Sequence, residues 1–448
     1  MDFQPSRRQL LASLLVSAAT GFKLPHVSFT TTSAHLPEQT TMRTAQTQTA
    51  SFNPATDIHP LGPRLNTYPI MFVHGLGGFV TLDGLNYWGG FHNVLQNLNN
   101  NGYTALAAHI GTFSSNWDRA CELYAAIKGG TVDYGLAHSQ KYGHARYGRT
   151  FPGTYPQWGE TNSAGGINKV HLIAHSMGPQ TARYLAQLLA TGSAEEQAAT
   201  PASELSPLFA GGKSSWLDGI VTLSGTHNGT TAMYAVQDIA PLPFLNELLA
   251  VFAALQLQNS TLLGYDFMLD QWGLIRQPGE SLSSYISRVQ NSKFATTTDN
   301  ALTDLTLVGA SVVNSLVRAQ PEHYYFSVST LSTIKDPFTG HQIPILDLTT
   351  PPPLYNISAF MGKYTQTSPI AVNSNWWAND SLVNAYTSMP GPSTDVIVTY
   401  NGGTPSRGEW NWLGVMNGYS HLDIIGWGVQ GVTSWYNNLA AFLASLPQ

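Results

Sequence analysis

What most restricts the fold of this chain is a recurrence of short, continuously apolar, β-rich runs separated by stretches of helical period. The runs are Tyr68 to Val73, Thr104 to Ala108, Val170 to Ala174, Gly219 to Leu223, Tyr324 to Val328 and Val396 to Tyr400. A strand without polar alternation is covered on both faces, so the pattern predicts an α/β fold: a mainly parallel central sheet with helices on both faces. At 448 residues the chain can bury a sizeable core. With 43% apolar and 11% aromatic residues, most of it cannot be intrinsically disordered. A net charge of −6, from 20 basic and 26 acidic side chains, supplies no basic footprint for a phosphate backbone, so no nucleic-acid partner is expected. The lone Cys121 cannot close an intrachain disulfide, which leaves packing, and a metal, as sources of stability.

The N-terminus has a different character. Arg7 and Arg8 precede an apolar run from Leu10 to Phe22 that falls short of the roughly 20 residues needed to span a bilayer. Ser6-Arg7-Arg8-Gln9-Leu10-Leu11 resembles a twin-arginine export signal, an address and not an anchor, so residues 1–23 are expected to be a signal peptide of a secreted protein without an integral membrane segment. From 24 to 63 the chain turns to Thr, Ser, Gln and Pro without strand or helix period, as in a solvated linker, leaving 64–448 as the folded domain.

Ala174-His175-Ser176-Met177-Gly178 follows the apolar run Val170 to Ile173 and precedes a helical pattern from Thr181 to Leu189. Strand, sharp turn and helix are the setting of a nucleophile elbow, and small residues two before and two after Ser176 permit the tight turn. A capping serine in an ordinary turn would show the same local pattern. An acyl-transfer serine also needs a base and amide donors for an oxyanion. The glycine-rich His74-Gly75-Leu76-Gly77-Gly78, after the first strand, can offer the Leu76 N–H, and Met177 offers a second. Four histidines follow the serine: His227, His323, His341 and His421. His421, in Asn417-Gly418-Tyr419-Ser420-His421-Leu422-Asp423 before the last helical segment, fits the base. Asp380, among aromatic flanks in Trp376-Trp377-Ala378-Asn379-Asp380, is the preferred orienting carboxylate, with Asp395 and Asp347 as alternatives.

Asp118, His138 and His144 form a second constellation. With a further carboxylate they would make a closed, four-coordinate structural zinc site with no open position. Leu242 to Leu257, poor in polar side chains, suits either a buried core helix or a lid helix over an acyl pocket.

In longer stretches the chain resembles the thermoalkalophilic bacterial lipases, zinc-containing true lipases related to the staphylococcal ones. The resemblance runs from about Tyr68 into the last helix and is densest in Ser114-Ser115-Asn116-Trp117-Asp118-Arg119-Ala120-Cys121-Glu122 and in Gly129-Gly130-Thr131-Val132-Asp133-Tyr134-Gly135. Ser206-Pro207-Leu208-Phe209, Asp270-Gln271-Trp272-Gly273-Leu274 and the alanine-containing elbow match as well. It implies an α/β-hydrolase fold with a lid helix and a zinc-bound insertion, and a triad of Ser176, Asp380 and His421. It also implies zinc on Asp118, His138, His144 and Asp299, and hydrolysis of triacylglycerols at an oil–water interface. A calcium site is implied at Asp423 and the region of Asp347, but the second acidic position, five residues after Asp423, is Gly428. Met177 and Pro179 stand where the family usually carries Gln and Gly. Other readings of the same residues are a short-chain carboxylesterase or polyester hydrolase, or a non-catalytic surface-binding protein that keeps the fold.

Overall fold

A computed structural model describes residues 52–448 except 83, 240–264, 347–349, 389–394 and 429–430. The signal segment 1–23, the stretch Leu242 to Leu257 expected as a lid, and Asp347 lie outside the described residues.

Among the described residues, seven strands form a wholly parallel sheet: β1 (Ile70–Val73), β2 (Ala105–Ala108), β3 (Val170–His175), β4 (Leu217–Leu223), β5 (Tyr324–Leu331), β6 (Ile397–Thr399) and β7 (Trp410–Asn417). Their spatial order is β6-β7-β5-β4-β3-β1-β2. Successive side chains point to opposite faces, as the two-residue strand period demands. Phe72, Ile173, Val221 and Phe326 enter one apolar core, which includes the helix Thr433–Ala444. Their neighbours Met71, Leu172, Ile220 and Tyr325 enter a second core with the helices Asn116–Lys128 and Gly178–Thr191. Full burial of each such side chain is worth about 1.5–3 kcal/mol, which makes register the strongest determinant of the sheet.

The expected mainly parallel α/β sheet, covered on both faces, is therefore present. β7 was not anticipated. Its sequence, Trp-Asn-Trp-Leu-Gly-Val-Met-Asn, is interrupted by Gly414 at φ 112°, where the register against β5 shifts. Glycine and asparagine lower strand propensity, and only the neighbouring strand restores it.

The linker assignment to 63 needs correction. Ile58 is buried, the Trp435 indole N–H donates to the Pro54 carbonyl at 2.7 Å, and the Leu61 N–H donates to Ser445 Oγ at 2.8 Å. Residues 52–63 carry no period because they pack as an irregular strap through isolated apolar anchors.

Candidate active site

Reactive groups gather at the C-terminal edge of the sheet, where such folds place their sites. β3 ends in a turn centred on Ser176, at φ 62°. That left-handed conformation is costly for a residue with a Cβ and persists only where the surroundings enforce it. The turn closes because its neighbours lack side chains. A Cβ on Gly75 would lie 2.5 Å from Ser176 Cβ, and one on Gly178 would lie 2.5 Å from the Val73 carbonyl oxygen.

His421 lies beyond β7. Its Nε2 is 2.9 Å from Ser176 Oγ across 245 positions of sequence, and its Nδ1 is 2.9 Å from Asp380 Oδ2. Asp380 Oδ2 also accepts the Thr330 hydroxyl at 2.6 Å, while Oδ1 accepts the N–H groups of Leu382 at 3.1 Å and Val383 at 2.7 Å. Four donors therefore fix the carboxylate in one orientation. With Nδ1–H facing that carboxylate, the lone pair of His421 Nε2 faces the hydroxyl. The other residues considered lie elsewhere: His227 contacts Thr222, His323 contacts Ser214, the His341 ring packs on Trp377, and Asp395 accepts the Trp410 indole N–H.

The loop from His74 to Gly77 is held at nearly every backbone group. Arg119, fully buried, donates to the carbonyls of His74 and Gly111, each at 2.5 Å. Gly75 N–H donates to the Tyr87 hydroxyl, Gly77 N–H to the Thr112 carbonyl, and Tyr265 donates to the Gly77 carbonyl. Among the described residues no acceptor takes the N–H of Leu76 or of Met177. Met177 also stands at the N-terminus of the Gly178–Thr191 helix, where the dipole favours negative charge. Ser176 and His421 open into a pocket lined chiefly by apolar side chains, among them Leu76, Met233, Leu305, Leu354 and Ile425.

The second constellation assembles on an inserted unit: two antiparallel strands, Gly130–Asp133 and Tyr147–Phe151, flank the helix Leu136–Tyr142. His138 and His144 come from this unit, Asp118 from the helix Asn116–Lys128, and Asp299 from the segment before Ala301–Asp304. One ligand atom of each lies within 4.8 Å of the others. His138 Nε2 is 3.3 Å from Asp118 Oδ1 and 3.2 Å from Asp299 Oδ2, and His144 Nε2 is 3.3 Å from that same oxygen. Four ligands at about 2.0–2.1 Å around a tetrahedral cation stand about 3.3 Å apart, so the donors are already at coordination spacing. Asp118 Oδ1 and His144 Nε2 are buried without a hydrogen-bond partner among the described residues. Outer contacts orient the donors: Gln271 donates to Asp118 Oδ2 at 2.7 Å, His144 Nδ1 lies 2.9 Å from the Ala145 carbonyl, and Trp117 stacks on His138. With no cation, burial and Asp299 push the Asp118 carboxyl up. Against its own burial, contacts with both carboxylates push His138 up to about 9. The residues fit a closed metal site.

Comparison with known proteins identifies the family. A family model described as "Lipase-like, C-terminal domain" matches residues 66–448. The chain belongs to this lipase family. It is 36% identical over 371 residues to Lipase 2 of Staphylococcus aureus, covering 81% of this chain and 50% of that relative. The chain thus spans about half the length of the curated relatives it matches. Among solved structures, lipase 1 from Pelosinus fermentans is 46% identical with a TM-score of 0.77, covering 86% of this chain and all of that one. Staphylococcus hyicus lipase is 34% identical with a TM-score of 0.70, covering 86% and 97%. The fold of this lipase-family chain is that of an α/β-hydrolase.

Of the calcium residues expected from the resemblance, Asp347 lies outside the described residues and only Asp423 can be placed. Asp423 Oδ2 accepts the Ser420 N–H at 2.7 Å, and Gly428 packs so closely that a Cβ there would lie 1.3 Å from Asp423 Oδ1. No second carboxylate can enter at 428 in this conformation, and calcium draws on six or more oxygens. Several supporting residues were not found from the sequence: Thr330, Tyr87, Arg119 and Gln271. Arg119 and Gln271 sit within stretches singled out for other reasons, but nothing in their spacing marks a role. Thr330 and Tyr87 carry no signal before the strands are placed.

Proposed function

We propose that this chain is a serine ester hydrolase acting on acylglycerols, with Ser176 as nucleophile, His421 as general base and acid, and Asp380 as the orienting carboxylate. The observation that carries the reading is the hydrogen-bonded line from Asp380 through His421 to Ser176, beside two amides that have no acceptor among the described residues. His421 Nε2 takes the Ser176 proton as Oγ attacks the ester carbonyl. The Leu76 and Met177 N–H groups receive the oxyanion, each worth roughly 3 kcal/mol to the transition state. The imidazolium then protonates the leaving alkoxide, and water, deprotonated by His421, releases the fatty acid. Apolar walls around Ser176 suit a fatty acyl chain, which favours a lipid ester over a compact polar one.

Asp118, His138, His144 and Asp299 would hold zinc. A closed set of four protein ligands leaves no position for a reacting water, so the metal would tie the insertion to the core and stabilise the folded state. The N-terminal segment would direct export through a twin-arginine route, consistent with a substrate met at an oil–water interface.

The decisive test is an active-site-directed fluorophosphonate applied to the full chain, alongside hydrolysis of triacylglycerols and p-nitrophenyl esters of increasing length. Labelling at Ser176, abolished in Ser176→Ala, is expected. Hydrolysis that survives Ser176→Ala would end the assignment, and a rate that peaks at acetyl and vanishes at long chains would redirect it to a short-chain esterase.

A further inference from the structure

Two fully buried side chains connect the halves of this site, and their hydrogen bonds admit only one direction. The Tyr87 oxygen takes the Gly75 N–H at 2.9 Å and stands 2.7 Å from His175 Nδ1; His175 Nε2 stands 3.0 Å from the His421 carbonyl oxygen. An amide N–H only donates and a carbonyl only accepts. The carbonyl end therefore requires the proton of His175 on Nε2. That leaves Nδ1 as a lone pair, which the Tyr87 hydroxyl supplies with its own proton while accepting from Gly75. The opposite tautomer would set two lone pairs against each other at the His421 carbonyl and would leave the Tyr87 hydroxyl hydrogen without its acceptor on His175.

We infer that Tyr87 and His175 are a positioning pair, a directional chain from the Gly75 N–H to the His421 carbonyl that locks the oxyanion-donor loop to the backbone of the general base. The inference rests on the ester-hydrolase reading. Gly75 immediately precedes Leu76, whose N–H is one of the two donors left over, so the Tyr87 contact sets the aim of that donor. At the other end the His421 backbone is held on both sides: its N–H donates to the Asp380 carbonyl at 2.8 Å and its carbonyl accepts from His175. Donor, nucleophile and base are thereby held to one frame, because His175 is also the residue before Ser176. The frame works only with an uncharged His175. Its ring centre lies 4.4 Å from that of His421, and a second cation there would oppose the imidazolium of the reaction. Burial pushes His175 well below the usual histidine range, and among the described residues no acidic side chain contacts its ring to reverse this.

The pair differs from an ordinary satisfied core network in what its loss should change. Misplacing an oxyanion donor weakens transition-state binding while leaving ground-state binding alone. With the full chain and a water-soluble p-nitrophenyl butyrate, Tyr87→Phe should lower kcat about tenfold or more while KM stays within about twofold. His175→Gln, which keeps one acceptor and one donor, should retain more of kcat than His175→Leu, which keeps neither. For His175 in the wild-type chain, nitrogen-15 NMR should show a protonated Nε2 and an unprotonated Nδ1 at every pH from about 5.5 to 9, a range in which a free histidine would titrate. Wild-type kcat in a folded Tyr87→Phe protein would overturn the inference, as would a proton on His175 Nδ1. If Tyr87→Phe fails to fold, the tautomer measurement decides. A wild-type chain that hydrolyses no ester and ignores the fluorophosphonate would instead sink the underlying reading, which the NMR result does not depend on.

Discussion

The Ser176 site and the Asp118 cluster are both built from aspartate and histidine, yet they satisfy those groups in opposite ways. Around Ser176 the hydroxyl, the His421 ring and the Asp380 carboxylate are hydrogen-bonded to one another, and among the described residues the Leu76 and Met177 amides have no acceptor. In the cluster, carboxylates and imidazoles face each other at 3.2–3.3 Å with two buried ligand atoms unpartnered among the described residues, an arrangement that a cation would complete. Histidine electrostatics follow the same division. Burial holds His74 and His175 well below the ordinary range, whereas carboxylates hold His138 up at about 9. On the proposed reading, one region would move a proton and the other would exchange protons for a metal.

That contrast breaks most sharply under substitution of the triad. Ser176→Ala should reduce turnover by about five orders of magnitude or more, with the melting temperature nearly unchanged. Asp380→Asn should cost about 10⁴ in kcat, because an amide stabilises the wrong imidazole tautomer. Steady-state kinetics on a soluble ester, paired with calorimetry, checks both. A large loss of stability in Ser176→Ala would mean that the site also carries structural weight.

The cluster should respond in reverse. Strong chelation, or Asp299→Ala, is expected to lower the melting temperature by several degrees while kcat stays within about threefold below the new transition. A metal at a thousandfold excess over its Kd stabilises by about 4 kcal/mol. Elemental analysis of the native protein should return one zinc per chain. A melting temperature indifferent to chelation would remove the metal from the account of stability and erase the distinction between the two regions.

The two regions were also unequally legible in sequence. Ser176 and the donor loop announce themselves through local motifs that glycines at 75 and 178 allow to close, whereas His421 was one of four histidines that follow the serine. His138 and His144 lie close in sequence, but Asp299 reached the cluster only through the family resemblance, since no local spacing links it to the insertion. Asp380 was one of three candidates. What singles it out, the Thr330 hydroxyl and two loop amides, exists only once β5 and the 380–383 turn are side by side. β7 and the 52–63 strap were missed for a related reason: their stability comes from neighbours far away in sequence, which no local period records.

Acid pH offers the finest test of the comparison, since both regions lose stability there through different groups. His171 is pushed down to about 4 by burial, and burial also lowers His74, His175 and His227. In the unfolded chain each would take up a proton below about 6.5, whereas the folded chain resists until much lower pH. Stability from these groups is therefore fully present above about 6.5 and is lost as pH falls toward 4, at up to roughly 1.4 kcal/mol per pH unit for each histidine. The metal-loaded protein should lose more over the same window, because protonation of His138 and His144 releases the cation. Melting temperature against pH, measured with and without a chelator, should give two falling curves that converge at the acid end, where the metal is gone from both. Parallel curves would show that the cluster holds its cation without competing with protons, and would assign the whole acid loss to the histidines buried around the sheet.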